Sequence, residues 1–221
     1  MKQNTFKHQF NRHLIALAAM LFFTLSGNLN ANAQTDWVVE AGINASTLSD
    51  IGNICDNNDI KAGVNAGIFA LHNLNDWVTI KTGVSYQGKG KKTELSELNL
   101  GLTGNDETEV TGTLHYAVLP LQAEFSSAKR DTKHLFFSTG PYLGFLIESD
   151  YELNDEKIEI ENYTDDLDFG WSFELGAEFP FLKKNAIRTS LSYEMGLKKV
   201  VQDDNCDWRN KTASFKLGLL F

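Results

Sequence analysis

Nine charged residues fall on alternate positions of segments whose other positions are apolar: Glu40, Lys61, Lys81, Lys89, Glu174, Glu178, Arg188, Glu194 and Lys216. Charges spaced by two share one face of a strand. On an enclosed face they either pair across the space and cement it, or line a path for ions. Two cysteines, Cys55 and Cys206, offer disulfide chemistry if the chain is exported. A two-cysteine metal site with no histidine nearby lacks a full ligand set. His72, His115 and His134 are scattered, and a hydrolytic or transfer site would need a Ser/His/acid set gathered on one rim. Nothing in the sequence selects one. The glycines sit within the alternating segments rather than in a phosphate-cradling loop.

These residues are carried on eight segments with a period of two. The clearest runs from Asp168 to Phe179. Phe169, Trp171, Phe173, Leu175, Ala177 and Phe179 share one face, and Asp168, Gly170, Ser172, Glu174, Gly176 and Glu178 share the other. The alternation predicts strands over Trp37–Thr47, Ile60–Ala70, Trp77–Lys89, Gly112–Phe125, Leu135–Glu148, Asp168–Phe179, Ile187–Lys198 and Lys211–Phe221. The fourth has an uncertain phase. Leu119, Leu121, Ala123 and Phe125 share one parity, Tyr116 and Val118 the other, and a bulge near Pro120 would reconcile them.

Alternation alone does not say which face is outside. A soluble lipocalin-like barrel turns its apolar face inward. Here the polar parity is rich in glycine (Gly42, Gly63, Gly83, Gly144, Gly170 and Gly218 among others), which suits a narrow, crowded lumen. The apolar parity carries aromatics near segment ends (Trp37, Tyr86, Phe179, Tyr193, Phe221), as membrane interfaces favour. Connections alternate between short (71–76, 126–134, 180–185) and long (48–59, 90–111, 149–167, 199–210). Short turns on one side and long loops on the other fit a transmembrane barrel with an even strand number. The expected fold is therefore all-β: an eight-stranded antiparallel up-and-down transmembrane β-barrel, its eighth strand pairing with its first.

Residues 1–33 read as a cleaved signal peptide. Lys2, Lys7 and Arg12 precede the apolar stretch Leu14–Leu25, and Ala31-Asn32-Ala33 resembles a cleavage site, leaving residues 34–221 as the barrel domain. The net charge of −9 falls to about −12 without those three cations, which argues against nucleic-acid binding.

The chain resembles the PorT-like outer-membrane β-barrel family. The likeness rests on Glu40-Ala-Gly-Ile-Asn-Ala-Ser-Thr, Ala62-Gly-Val-Asn-Ala-Gly-Ile, Gly83-Val-Ser-Tyr-Gln-Gly-Lys-Gly, Leu114-His-Tyr-Ala-Val-Leu-Pro-Leu, Ser138-Thr-Gly-Pro-Tyr-Leu-Gly-Phe, Asp168-Phe-Gly and Leu217-Gly-Leu-Leu-Phe, in that order. The terminal Phe221 resembles the aromatic signal read by barrel-assembly machinery. The resemblance implies an eight-stranded barrel in an outer membrane. It also suggests a tie to a secretion or gliding apparatus, and it brings no catalytic motif.

The residues favour a non-enzymatic structural or surface-interaction protein. The runners-up are an accessory secretion subunit, a lipid-modifying enzyme and a soluble carrier. No cofactor is expected. Partners are outer-membrane lipid, lipopolysaccharide and other envelope proteins reached through long extracellular loops, and the barrel is expected to be a monomer. Loop 149–167 holds eight acids against Lys157 but lacks a calcium-loop spacing, so it reads as a solvated acidic surface. Tyr151–Leu153 and Lys157–Glu161 should form a hairpin around Asn154-Asp155, as should Leu98–Leu102 and Glu107–Leu114 around Gly104-Asn105-Asp106. Cys55 and Cys206 lie in the first and last long loops, which become neighbours on closure and favour a disulfide. Glu40, Lys61, Lys81, Glu174, Glu178, Arg188, Glu194 and Lys216 are expected to form a lumen charge network, because eight strands leave a lumen that side chains just fill.

Overall fold

A computed structural model describes residues 35–49, 60–94, 109–129, 132–153, 156–158, 165–182, 185–199 and 208–221. Nine strands form among them. They are β1 (Thr35–Ser49), β2 (Lys61–Asn73), β3 (Val78–Glu94), β4 (Glu109–Ser126), β5 (His134–Leu153), β6 (Glu156–Ile158), β7 (Leu167–Leu182), β8 (Asn185–Gly196) and β9 (Arg209–Leu220). Each long strand pairs antiparallel with its neighbour in sequence, β5 passing over the short β6 to pair with β7. The seam closes where β1 meets β9, from Val38↔Leu220 to Ser49↔Arg209. Eight long strands thus make a closed ring. β6 lies outside it, paired with β5 alone.

The wall follows the alternation. Val39, Ile43, Val64, Ile68, Val84, Phe169, Phe173, Leu175, Leu191 and Leu217 are exposed on the outer face. Glu40, Asn44, Lys81, Ser85, Glu174, Glu178, Arg188 and Glu194 are buried on the inner one. Trp37, Trp77, Phe125, Phe179, Phe181 and Phe221 stand exposed around the turn end, where a membrane interface accepts aromatic rings. The turns are tight for local reasons. In the β2–β3 turn the Asn75 side-chain oxygen accepts from the amides of Trp77 and Val78, both at 2.9 Å, an Asx turn.

The irregularity on the fourth strand is not at Pro120. Register with β3 is the same on both sides of it, Thr82↔Leu121 before and Ser85↔Val118 after. The Thr82 hydroxyl donates to the Pro120 carbonyl at 3.1 Å, and the missing amide costs a ladder bond but no phase. The shift lies between His115 and Tyr116, where β5 carries Ile147 as an extra residue. β4 itself keeps one alternation throughout, so Tyr116 and Val118 point inward with Gln122 and Glu124 while Leu121 and Phe125 point outward. Phe145, on the same parity as the exposed Phe137 and Leu143, is buried next to this bulge.

On the loop side the strands extend into the segments expected to form hairpins. β4 begins at Glu109 and β5 continues to Leu153. Of the hairpin expected around Asn154-Asp155, the pairs Leu153↔Glu156, Glu152↔Lys157 and Tyr151↔Ile158 are formed, while residues 154–155 and 159–161 lie outside the described residues. The Leu98–Leu102 half of the other expected hairpin lies outside the described residues, although Glu94↔Glu109 extends the β3–β4 ladder toward it. Cys55 and Cys206 also lie outside them.

Leu191 is central in β8, between Leu175 and Phe215, and faces outward. Leu191→Arg should lower folding stability in phospholipid vesicles by about 2–4 kcal/mol, as a cation at the bilayer midplane does. Denaturant titration checks this, and a loss below about 1 kcal/mol would contradict an outward, lipid-facing Leu191.

Candidate functional site

The lumen is filled in layers built to one plan: a glycine on the wall, an aromatic ring lying on it, a cation over the ring, and carboxylates around the cation. Nearest the turns, Arg188 stands 3.9 Å from the centre of the Phe136 ring. Its guanidinium donates to Glu178 at 2.7 Å and to Glu124 at 2.6 Å, and the Ser138 hydroxyl also donates to Glu124. Phe136 faces Gly176 across the β5–β7 ladder. Any side chain at Gly176 would put its Cβ 2.3 Å from the ring.

In the middle layer, the Lys81 ammonium donates to Glu40 at 2.9 Å and to Glu174 at 3.2 Å. It lies 4.7 Å from the centre of the Phe69 ring, which faces Gly83 across β2–β3. Lys216 donates to Glu174 from the other side at 3.0 Å. Arg188 reaches Glu40 at 4.0 Å, so the lower two layers touch.

Toward the loops, Lys89 donates to Glu194 at 2.9 Å and lies 3.5 Å from Asp168. The Tyr142 and Tyr116 rings flank it at 4.7 and 5.6 Å. Asp168 accepts from Tyr142 and Asn210, and Glu194 accepts from Gln87. Tyr142 covers Gly170, its partner across β5–β7.

Apolar residues are interleaved with this polar stack rather than set apart from it, Leu114 lying opposite Lys89 and Val118 opposite Ser85. Val38, Phe69, Leu71, Ala186 and Leu220 cluster at the turn side, and Leu114, Tyr116, Val118 and Tyr142 cluster toward the loops. A charge in such surroundings is costly unless paired, and each of the four cations meets one or more carboxylates. The ring faces add cation–π attraction, worth about 2 kcal/mol or more where water is excluded.

Seven of the eight residues expected in a lumen network lie in these layers: Glu40, Lys81, Glu174, Glu178, Arg188, Glu194 and Lys216. Lys61 stands apart near the loop end, where its ammonium donates to the Thr113 hydroxyl. Glu124 and Asp168 are equal members that the sequence reading left out of the network. Asp168 already sat on the polar parity, while Glu124 was obscured by the unresolved phase around Pro120. The histidines are not gathered. His72 bonds Thr35, the His134 ring donates to the Thr132 carbonyl, and His115 lies between the Tyr86 hydroxyl at 2.6 Å and Asp150 at 3.2 Å.

A closed, outwardly apolar barrel with a filled lumen has relatives by sequence. The profile of the outer membrane protein beta-barrel domain matches residues 30–202. The chain belongs to that family. This outer-membrane barrel also aligns with solved barrels. Ail, the attachment invasion locus protein of Yersinia pestis, in complex with the heparin analogue sucrose octasulfate, is 14% identical, with 85% of this chain and 99% of that one covered and a TM-score of 0.43. Neisserial surface protein A is 11% identical, with 84% and 97% covered and a TM-score of 0.48. OprG from Pseudomonas aeruginosa is 9% identical, with 86% and 98% covered and a TM-score of 0.45. No curated protein matches the chain significantly.

Two variants test how the outer-membrane barrel holds its layers. Arg188→Met leaves Glu124 and Glu178 buried without their cation and should cost about 3–5 kcal/mol by denaturant titration. Gly176→Ala should cost about 1–3 kcal/mol, because Phe136 has to leave its seat.

Proposed function

We propose that this outer-membrane barrel is a non-enzymatic structural and surface-interaction protein that works through its long acidic extracellular loops. The observation that carries the reading is the occupied lumen. Arg188, Lys81, Lys216 and Lys89 are tied to six carboxylates and packed among the rings of Phe136, Phe69, Tyr116 and Tyr142, an arrangement that suits a plug better than a conduit. With transport through the centre disfavoured, contact with other molecules falls to the loop side. There the acidic segment 149–167 favours cationic partners, or divalent cations shared with lipopolysaccharide.

The reading includes export by a signal peptide cleaved after Ala33. It also includes a Cys55–Cys206 disulfide across the seam. Support for the disulfide comes from the Ser49↔Arg209 pair, which brings the bases of the two cysteine-bearing loops together. Closing a loop of about 150 residues restricts the unfolded chain by several kcal/mol in the entropy model.

Heat-modifiable gel mobility of the membrane-fraction protein tests the barrel and the bridge together. A fast unboiled band that slows on boiling is expected, with a further shift of the boiled band on reduction. Planar-bilayer recording should give no steady conductance, and a stable open channel would overturn the plug. Deleting the gene should leave secretion intact and alter surface binding. A secretion defect would instead favour the accessory-subunit reading, and altered lipid A a lipid-modifying one.

A further inference from the structure

Above the barrel wall four strands continue as a sheet of their own. The β2–β3 ladder ends at Asn65↔Gln87, apart from a single bridge between Ile60 and Lys91. The β3–β4 ladder runs on to Glu94↔Glu109. On the other flank, β5–β7 pairing ends at Phe145↔Leu167, while β4–β5 pairing reaches Val110↔Leu153 and β5–β6 adds Tyr151↔Ile158. The result is a β3–β4–β5–β6 sheet that leaves the ring on the loop side.

Its two edges differ. On the β3 side, Asn44 donates its side-chain amide to the Gly88 carbonyl at 3.0 Å. The Ser46 hydroxyl accepts from the Gly90 amide at 2.9 Å and donates to the Gly90 carbonyl at 3.3 Å. Gly90 has φ 155°, and a Cβ there would stand 2.0 Å from the Gly112 carbonyl, so only glycine fits this capped edge. β6 pairs with β5 alone among the described residues. Two residues, Asn154 and Asp155, separate the pair Leu153↔Glu156. In a two-residue hairpin the flanking pair exchanges hydrogen bonds and the next pair does not. The next pair is Glu152↔Lys157, so the Lys157 amide and carbonyl point away from β5, out of the sheet.

We propose that this β6 edge is a docking site for an extended, lysine- or arginine-rich segment of another protein, added as a further antiparallel strand. The inference rests on the surface-interaction reading and names its partner class. Main-chain bonds to Lys157 would supply the register. Charge selects the partner, because the paired β5–β6 strands carry Asp150, Glu152 and Glu156 against Lys157 and repel an acidic strand.

The probe is a short labelled peptide alternating lysine and threonine, titrated by fluorescence anisotropy against the full barrel in detergent micelles. Saturable binding that weakens with salt is expected, with none for a glutamate–threonine peptide. Lys157→Pro removes the outward amide while leaving the β5–β6 bonds in place, and should weaken binding by about tenfold or more. Lys157→Ala keeps the amide and should bind as well as the parent or better. The same peptide N-methylated at alternate residues keeps its charge but loses its strand-forming edge, and should fail against the unmodified barrel. Equal binding of the methylated peptide would overturn the edge in favour of loose charge attraction, whether or not the proline variant folds. Failure of the basic peptide on a heat-modifiable barrel would overturn the site and leave the barrel reading standing. Loss of heat modifiability would sink the barrel reading itself.

Discussion

Hydrocarbon offers no hydrogen bond to a peptide group, so within the apolar band each strand edge must find another strand. The β1–β9 seam follows from that constraint. So do the antiparallel ring and the strict division of side chains between two faces. Pro120 shows the constraint at its limit. It withholds one amide, yet the ladder keeps phase around it, and the Thr82 hydroxyl donates to its carbonyl. Where the chain rises past the band, the rule relaxes. β2–β3 pairing lapses, and polar side chains from β1 serve the β3 backbone instead.

The inner face answers a different requirement. Eight strands leave too little room for water to shield charges, so each buried cation must be neutralised in place. Replacing buried ion pairs with well-fitted apolar groups often stabilises a protein, so these layers are a weak argument for stability as such. Their value is in geometry. Lys81 satisfies carboxylates from two strands, and Arg188 does the same, so each cation fixes distances between distant parts of the ring.

Much of this was legible in the residues. The parity of Phe169–Phe179 and Phe215–Phe221 fixed the outer face, and glycine on the opposite parity pointed to a tight interior. Less visible was why glycine recurs there. Phe69, Phe136, Tyr116 and Tyr142 lie on the inner face, and an alternation count sees their rings only as interruptions of a polar row. Their seats are Gly83, Gly176, Gly144 and Gly170 on neighbouring strands, a relation fixed by cross-strand register and invisible along a single segment. The bulge at Ile147 was hidden in the same way, because one extra residue on β5 shows only against its partner on β4. Glu124 was masked by doubt over the phase at Pro120, although the Leu121–Phe125 alternation already turned it inward.

The ring-on-glycine seats bear on how such a wall assembles correctly. A strand that inserts one residue out of step turns its greasy face to the lumen, and the membrane rejects it. A strand that inserts two residues out of step keeps its greasy face in lipid, so the membrane has no means of noticing. The lumen does notice. A slip of two between β5 and β7 carries Phe136 off Gly176 and onto Glu174 or Glu178, and one between β7 and β8 parts Arg188 from Glu178. Lipid therefore proofreads odd slips and the interior proofreads even ones, and together they leave this chain a single register in which to close.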